Sequence, residues 1–380
     1  MSKYWDTEEI FLDGDQYFDH LLRDIDQAQE LITVEIYIFN NDSLGNKIAT
    51  HLIRAHERGV KVQIVVDGVG SYGFFDKLYP LFLSAGIRVK MFHPLPLYHP
   101  VYENLSLKKR VQTFFTRLWR LNQRNHRKII IIDGKILFAG SFNFSVEHTD
   151  DHHEMKWKDM GVRVEGKNVM IGLLHFKKIW SLRDFFRYRK KIKPLITENL
   201  KYCPLRLNHS LFMKRFYYRD LMNKINQSQK RIWLMTPYFI PKRNLIRKLG
   251  KAAQRGIDVR ILISSKSDVS LFRSLQFFYY AYLIKKGVKI FQYAETVLHA
   301  KAFIIDDWMT IGTSNLNHRS ILHDLEVDVS IQDQPNKEIL ERDFLNSSPK
   351  EIEITIDDLK QRTLFDRFLS RLFFVFKYWF

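Results

Sequence analysis

The chain alternates between short runs of β-branched and aromatic residues and longer segments whose apolar residues recur every three or four positions. The short runs predict strands buried on both faces, and the longer segments predict amphipathic helices. Residues 32–39 and 232–239 are two such runs, and each precedes a helical pattern that ends at a glycine, Gly59 or Gly256. A glycine followed directly by β-branched residues is typical of a helix C-cap leading into a strand.

This order of elements occurs twice. Residues 24–68 align by residue type with residues 223–265, and each copy continues with a glycine, Gly86 or Gly287, and a further strand pattern. Internal repetition of strands and helices predicts two copies of one α/β unit with a largely buried sheet. We therefore expect the fold class α/β.

Three segments lie outside the repeat and combine aromatic with basic residues. The first copy carries an insertion, residues 95–124; a second basic run covers residues 176–194; and residues 351–380 form an amphipathic tail. Each could be an ordinary solvated or packed helix face. Because aromatic residues lie among the cations in all three, we expect them to face lipid headgroups, with the tail lying in a bilayer interface.

Composition narrows the range of partners. The 380 residues carry a net charge of +18, and 46% of them are apolar, which indicates a folded protein with an anionic partner, either nucleic acid or the anionic lipid of a membrane surface. The single cysteine, Cys203, fits a reducing compartment. No signal core and no run of 18 uncharged apolar residues is present, so we expect a peripheral protein on the cytoplasmic face of the membrane.

Candidate chemistry lies in a motif that each copy carries once, His-x-Lys-x4-Asp followed by Gly-[Ser/Thr]-x-Asn. A histidine and a lysine two residues apart on a strand share one face, at the strand's start, where loops can form a pocket. One copy alone could arise by chance, but two within an alignable repeat could not. The candidate residues are His126, Lys128, Asp133, Ser141 and Asn143 in the first copy and His299, Lys301, Asp306, Thr313 and Asn315 in the second.

Two such copies placed face to face would suit a phosphodiester. Lysines neutralise its charge, while asparagine amides and hydroxyls bind its non-bridging oxygens. One imidazole can attack phosphorus while the other protonates the leaving oxygen. The aspartates end the apolar strands, and we expect them to brace the site rather than touch substrate. No ligand cluster at metal spacing accompanies the motif, so we expect no metal and no cofactor.

The duplicated motif resembles the phospholipase D superfamily. Stretches such as TVEIYIFNND, TPYFIP and NHRKIIIIDGKILFAGSFNFSVEH are similar to bacterial cardiolipin synthases, in particular the short peripheral type without N-terminal membrane helices. The resemblance covers residues from about 5 to 330. It implies two α-β-α halves packed as a pseudo-dimer around one shared site, with domains at 1–195 and 196–345 and the tail at 351–380.

The resemblance also implies roles for individual residues. His126 would be the nucleophile and His299 the general acid and then base, although the order of the two stays open. The lysines, asparagines and hydroxyls would hold the phosphate. Each histidine would be oriented by a carboxylate of its own half, which places Asp159 with His126 and Glu326 with His299; a surface acid is the alternative for Asp159.

The implied activity is phosphatidyl transfer from phosphatidylglycerol to a second phospholipid, on an anionic membrane, through a phosphatidyl-histidine. A phospholipase D hydrolase that makes phosphatidic acid would share every catalytic residue. A nuclease would use the positive charge for phosphate contacts, and a scaffold with a dead site is the non-enzymatic alternative. The sequence leaves the acceptor, the oligomeric state and the role of residues 95–124 undetermined.

Overall fold

The computed structural model describes residues 3–96, 106–153, 155–266, 279–349 and 352–360. The strands are β1 Thr7–Phe11, β2 Leu31–Ile36, β3 Lys61–Asp67, β4 Arg88–Phe92, β5 Ile129–Ile132, β6 Ile136–Gly140, β7 Gly161–Glu165, β8 Leu205–Leu207, β9 Arg231–Met235, β10 Phe239–Ile240, β11 Asp258–Ser264, β12 Lys289–Tyr293, β13 Ala302–Ile305, β14 Trp308–Gly312, β15 Leu316–Asn317 and β16 Val327–Ile331. The helices are α1 Gly14–Gln27, α2 Ser43–Glu57, α3 Phe74–Ser84, α4 Leu107–Arg120, α5 Val169–Trp180, α6 Leu182–Lys191, α7 Lys193–Tyr202, α8 Leu211–Gln227, α9 Arg243–Gln254, α10 His318–Leu322, α11 Gln334–Asn346 and α12 Ile356–Lys360.

Two mixed seven-stranded sheets repeat one topology, which confirms the α/β duplication. The first has the order β1-β7-β6-β5-β2-β3-β4, and the second the order β12-β11-β9-β13-β14-β16-β8. Read from opposite ends, the orders correspond strand by strand: β2, β3 and β4 run parallel, as do β9, β11 and β12, and the remaining pairings are antiparallel. The first sheet ends at Glu165 and the second begins at Leu205, so the expected boundary at 195/196 falls within α7.

Buried apolar side chains form three main clusters, which define the layers. One lies beneath α1, α2 and α3 on the outer face of the first sheet, and another beneath α8 and α9 on the outer face of the second. The third contains residues of both sheets, for example Ile129, Val162, Ala302 and Val327. The two halves therefore share a core between their sheets, and burial of this apolar area holds them together.

The glycines that follow the helices of the repeat adopt the left-handed backbone conformation expected at a helix C-cap. Gly59 after α2 and Gly256 after α9 have φ of 96° and 88°. The amide of Gly59 donates to the carbonyl of His56, and that of Val60 donates to Ala55. Such bonds satisfy the last carbonyls of a helix, and the left-handed turn that they need favours glycine.

The segments outside the repeat are described in part. The insertion contains α4, which has no buried residue, and residues 97–105 lie outside the described residues. The tail begins at the sheet edge, where the amide of Ile354 donates to Ile290 of β12, and its expected aromatic helix at 361–380 also lies outside them. None of the helices in the described part of the chain is both long and apolar enough to cross a bilayer.

Candidate active site

Both motif histidines lie just before a strand, β5 or β13, which runs between the lysine and the aspartate of the motif. Each histidine is held by the backbone of the other half. The amide of His126 donates to the carbonyl of Leu325 at 3.0 Å, and that of His299 donates to Lys158 at 2.9 Å. Parallel bridges join Asn125 to Leu325 and Lys158 to Leu298. The two copies are therefore related by a pseudo-twofold arrangement, in which each histidine lies beside a strand of the opposite half.

The carboxylates pair across the two halves, which corrects the expectation that each histidine is oriented from its own half. Nδ1 of His126 lies 3.0 Å from Oε2 of Glu326, and Nδ1 of His299 lies 2.7 Å from Oδ2 of Asp159. The reason is the backbone bridging, because each carboxylate directly follows the residue that binds the opposite histidine's amide. With Nδ1 bound to a carboxylate, each imidazole keeps Nε2 for substrate.

The hydroxyls predicted to bind phosphate face the carboxylates instead. Ser141 and Thr313 are fully buried; the Ser141 hydroxyl donates to Asp159, and the Thr313 hydroxyl donates to Glu326. Each hydroxyl directly follows a strand, β6 or β14, and its carboxylate lies just before the paired strand, β7 or β16. The two hydroxyls therefore fix the orienting carboxylates, and their contact with phosphate stays a prediction.

The two lysines lie within the site and are almost completely buried. Nζ of Lys128 donates to the carbonyl of His126 at 3.0 Å, and Nζ of Lys301 donates to that of His299 at 2.5 Å. Burial and the neighbouring charge of Lys301 lower the pKa of Lys128 to about 7. A bound phosphate anion would supply the countercharge that these two cations need.

Asn143 and Asn315 follow β6 and β14, as Ser141 and Thr313 do, but the two asparagines differ in their hydrogen-bond partners. Oδ1 of Asn143 accepts a hydrogen bond of 3.3 Å from the amide of Ile38. Oδ1 of Asn315 is buried and has no hydrogen-bond partner among the described residues. The backbone amide of Asn315 donates a hydrogen bond to the hydroxyl of Ser320. Both residues are more than nine-tenths buried beside the histidines' strands.

The motif aspartates lie at the opposite end of the strand from the histidines. The Asp133 carboxylate accepts bonds from the amides of Gln29, Glu30 and Leu31, and Asp306 accepts three from residues 229–231. Burial alone would raise the pKa of Asp133, but these bonds lower it below its usual value. The two aspartates therefore brace the turns before β2 and β9 through the backbone, in keeping with the expected bracing role, and a direct part for them in catalysis stays a prediction.

The two histidine sites differ electrostatically. Burial and the two lysines hold the pKa of His126 well below its usual value. Burial lowers the pKa of His299 to about 3, although Asp159 acts to raise it. Burial also raises the pKa of Glu326 to about 7, whereas two neighbouring histidines hold the pKa of Asp159 well below normal despite its burial. Asp159 is therefore the carboxylate held ionised, and its charge acts to raise the pKa of His299 against the effect of burial.

Several site residues were missed by the motif analysis. The Tyr37 ring lies 5.0 Å from that of His126 and 5.1 Å from Nζ of Lys128. Trp157 and His148 lie 5.6 and 5.9 Å from the His299 ring. Arg319 lowers the pKa of His126 through its charge. Tyr37 lies in the aligned repeat. His148 follows Asn143 by five residues, as Ser320 follows Asn315, and this equal spacing in the two halves was the sequence signal that could have identified His148.

One grouping in the described part of the chain has the composition of a metal site. Ligand atoms of His148, Asp159 and His299 all lie within 4.8 Å of one another. The Asp159 carboxylate is within hydrogen-bonding distance of both rings and of the Ser141 hydroxyl. These contacts account for the grouping without an ion, and the absence of a metal stays a prediction.

Comparisons with known proteins identify the family of the chain. The sequence matches the family described as "Cardiolipin synthase, PLD-like domain" over residues 21–163 and 221–347. It is 29% identical to cardiolipin synthase B of Salmonella typhimurium, over 93% of this chain and 81% of that protein. It is 31% identical to a cardiolipin synthase of Staphylococcus aureus, over 95% and 71%.

The fold has a solved counterpart. The crystal structure of phosphatidylserine synthase from Haemophilus influenzae superposes with a TM-score of 0.72 at 12% identity, covering 100% of this chain and 97% of that one. Polyphosphate kinase from Porphyromonas gingivalis matches with a TM-score of 0.56, over 89% of this chain and 50% of that one. With the paired motif and the family match, the chain belongs to the cardiolipin synthase family of phospholipase D-like proteins and is a phosphatidyltransferase of that superfamily.

Proposed function

We propose that the chain transfers the phosphatidyl group of one phosphatidylglycerol to a second, giving cardiolipin and glycerol through a phosphatidyl-histidine. The observation that carries the proposal is the pair of histidines, each backed by a buried carboxylate of the opposite half and accompanied by two buried lysines. The names of the relatives support the choice of lipid substrate. The site's chemistry alone is that of phosphodiester exchange.

In the first step, Nε2 of His126 attacks phosphorus and the bond from phosphorus to the glycerol oxygen breaks. His299, protonated at Nε2, gives its proton to that oxygen. The ionised Asp159 beside His299 supports the role of proton donor, because it stabilises the imidazolium. Lys128 and Lys301 offset the charge that develops on the phosphate oxygens.

In the second step, neutral His299 removes the proton of the acceptor hydroxyl while the acceptor oxygen attacks phosphorus. The phosphorus–nitrogen bond to His126 breaks, and the enzyme returns to its starting state. Water would compete as acceptor at this stage. The His126 and His299 side chains are only 13% and 10% exposed, and such burial limits the access of water.

A product assay by mass spectrometry tests this proposal. Purified protein would be incubated with phosphatidylglycerol vesicles, with and without phosphatidylethanolamine. Cardiolipin with release of glycerol is the expected result, and dependence on the second lipid with release of ethanolamine would instead identify phosphatidylethanolamine as the phosphatidyl donor and phosphatidylglycerol as the acceptor. Phosphatidic acid without cardiolipin would mean hydrolysis, and cleavage of nucleic acid without any lipid product would mean a nuclease.

We also propose that helix α4 docks the site on an anionic bilayer. Five large apolar side chains of α4 are exposed, with Trp119 at 84%, and Lys and Arg are its only charged residues. Arg117 ties the helix to the carbonyl of Leu95, and the chain runs from its end to His126 within six residues. An apolar, cationic helix beside the site fits headgroups carrying negative charge. The free, buried thiol of Cys203 supports a position on the cytoplasmic face.

The double substitution Phe115→Asp with Trp119→Asp is expected to weaken binding to phosphatidylglycerol vesicles at least about tenfold, since it removes two aromatic side chains and adds negative charge. Vesicle co-sedimentation measures this. The matched control is Ile339→Asp with Leu345→Asp, which places the same charges on exposed positions of α11. Equal losses in the two double variants would reflect net charge alone and would remove α4 as the docking helix.

A further inference from the structure

His148 and Ser320 occupy equivalent places in the two halves, although their chemistry differs. His148 follows Asn143 by five residues, and Ser320 follows Asn315 by five. The Ser320 hydroxyl donates to Oε1 of Glu326, and Nδ1 of His148 lies 3.0 Å from Oδ2 of Asp159. In both halves, this position therefore contacts the carboxylate that orients a histidine, through a hydroxyl in one half and an imidazole in the other.

The His148 ring is held rigidly. Its side chain is 1% exposed, and its ring lies 5.7 Å from that of Phe142 and 5.6 Å from that of Trp157. The start of α1 presses against its backbone, since a Cβ on Gly14 would lie 1.8 Å from the His148 carbonyl oxygen. The contact with α1 fixes the backbone of His148, and the two aromatic rings restrict the space open to its side chain.

The contact of His148 with Asp159 and the contact of Ser320 with Glu326 involve different carboxylate oxygens. Ser320 binds Oε1 of Glu326 and leaves Oε2 to His126 and Thr313. His148 and His299 instead share one oxygen, Oδ2 of Asp159, while Ser141 takes Oδ1. A buried histidine that merely needed a partner would not have to lie on the oxygen used by His299.

We propose that His148 is a positioning residue for His299: it fixes Asp159 and draws charge from the oxygen that binds His299, so that the two catalytic histidines are chemically unequal. The inference rests on the proposed function in so far as His299 is the acid–base group. Nδ1 of His148 lies 3.0 Å from Oδ2 of Asp159 without meeting hydrogen-bond geometry among the described residues, so its effect on that oxygen is electrostatic: a ring dipole or charge at this distance stabilises the negative charge where it is. Without His148, Oδ2 would act on His299 alone, and the pKa of His299 would rise.

The test compares His148→Ser, which copies the second half, with His148→Asn, whose amide can still donate from the place of Nδ1. The acceptor step needs neutral His299, so a higher pKa moves the acidic limb of its pH profile upward. We expect His148→Ser to shift this limb by about one pH unit, which is a tenfold change in the protonation equilibrium of His299, and to slow the step about tenfold or more. We expect His148→Asn to keep the acidic limb close to its wild-type position and to retain most of the wild-type rate of the acceptor step.

Histidine NMR of ¹⁵N-labelled protein provides a readout that does not need turnover. His148→Ser should move the Nδ1–H resonance of His299 and leave that of His126 in place, whereas Ser320→Ala should do the reverse. Unchanged His299 resonance and acidic limb in a folded His148→Ser or His148→Asn variant would overturn the proposal. Wild-type protein that makes no cardiolipin would refute the proposed function, while the NMR comparison would still decide the role of His148.

Discussion

Replacement of His126 by alanine is expected to lower phosphatidyl transfer by about 10⁴-fold or more, because it removes the nucleophile on which every later step depends. Replacement of His299 removes acid and base catalysis, which contributes roughly 10² to 10⁴-fold. Both losses would be measured as cardiolipin formed from phosphatidylglycerol vesicles. A natural donor cannot separate the two roles, since both variants would be inactive with it.

A phosphatidyl ester of p-nitrophenol separates the roles, because nitrophenolate leaves without needing a proton. The His299→Ala variant should release a burst of one nitrophenolate per enzyme and then stop, since no base activates the acceptor. The His126→Ala variant should give no burst. The opposite pattern would make His299 the nucleophile. His51→Ala is the matched control, because His51 lies on α2 paired with Asp26, and its activity should stay within about twofold.

The crossed carboxylates give the second large effect. Glu326→Gln and Asp159→Asn are each expected to slow transfer by about 10² to 10⁴-fold, since a neutral amide neither fixes the imidazole tautomer nor stabilises its charge. Each variant should reproduce the defect of the histidine in the opposite half. With the nitrophenyl donor, Asp159→Asn should keep the burst and lose turnover, and Glu326→Gln should lose the burst.

The reverse assignment of these two phenotypes would mean that each carboxylate serves its own half. Asp24→Asn is the control for loss of a buried charge, because Asp24 lies on α1 and pairs with Arg163 of β7. We expect this control to lower the melting temperature and to leave the burst and turnover ratio intact. The comparison therefore separates a defect in catalysis from a defect in folding.

The expected effects of the histidine and the carboxylate variants both depend on how the two halves pack against each other. His126 is affected by the charge of Lys301, and His299 by that of Lys128, so each lysine contributes to the environment of the opposite histidine. Neither half contains a complete site, because the carboxylate for its histidine lies in the other. This dependence gives the chain a physical reason to keep two motifs with a shared core between their sheets.

The sequence by itself determined the duplicated α/β architecture and the pairs His126–Lys128 and His299–Lys301. These depend on local chemistry, that is, on the period of side chains along a strand, on glycine at helix ends and on a repeat visible in one dimension. It also located Asp159 and Glu326, although only through family resemblance.

Only the tertiary structure decided which carboxylate pairs with which histidine, that the hydroxyls of Ser141 and Thr313 donate to these carboxylates, and that His148 lies beside them. The residues concerned are far apart along the chain: His126 and Glu326 are 200 residues apart, and Asp159 and His299 are 140 apart. Spacing within one half carries no information about which strands of the two halves lie side by side. That relation is fixed by burial of the shared core and by backbone bonds between Leu325 and His126 and between Lys158 and His299.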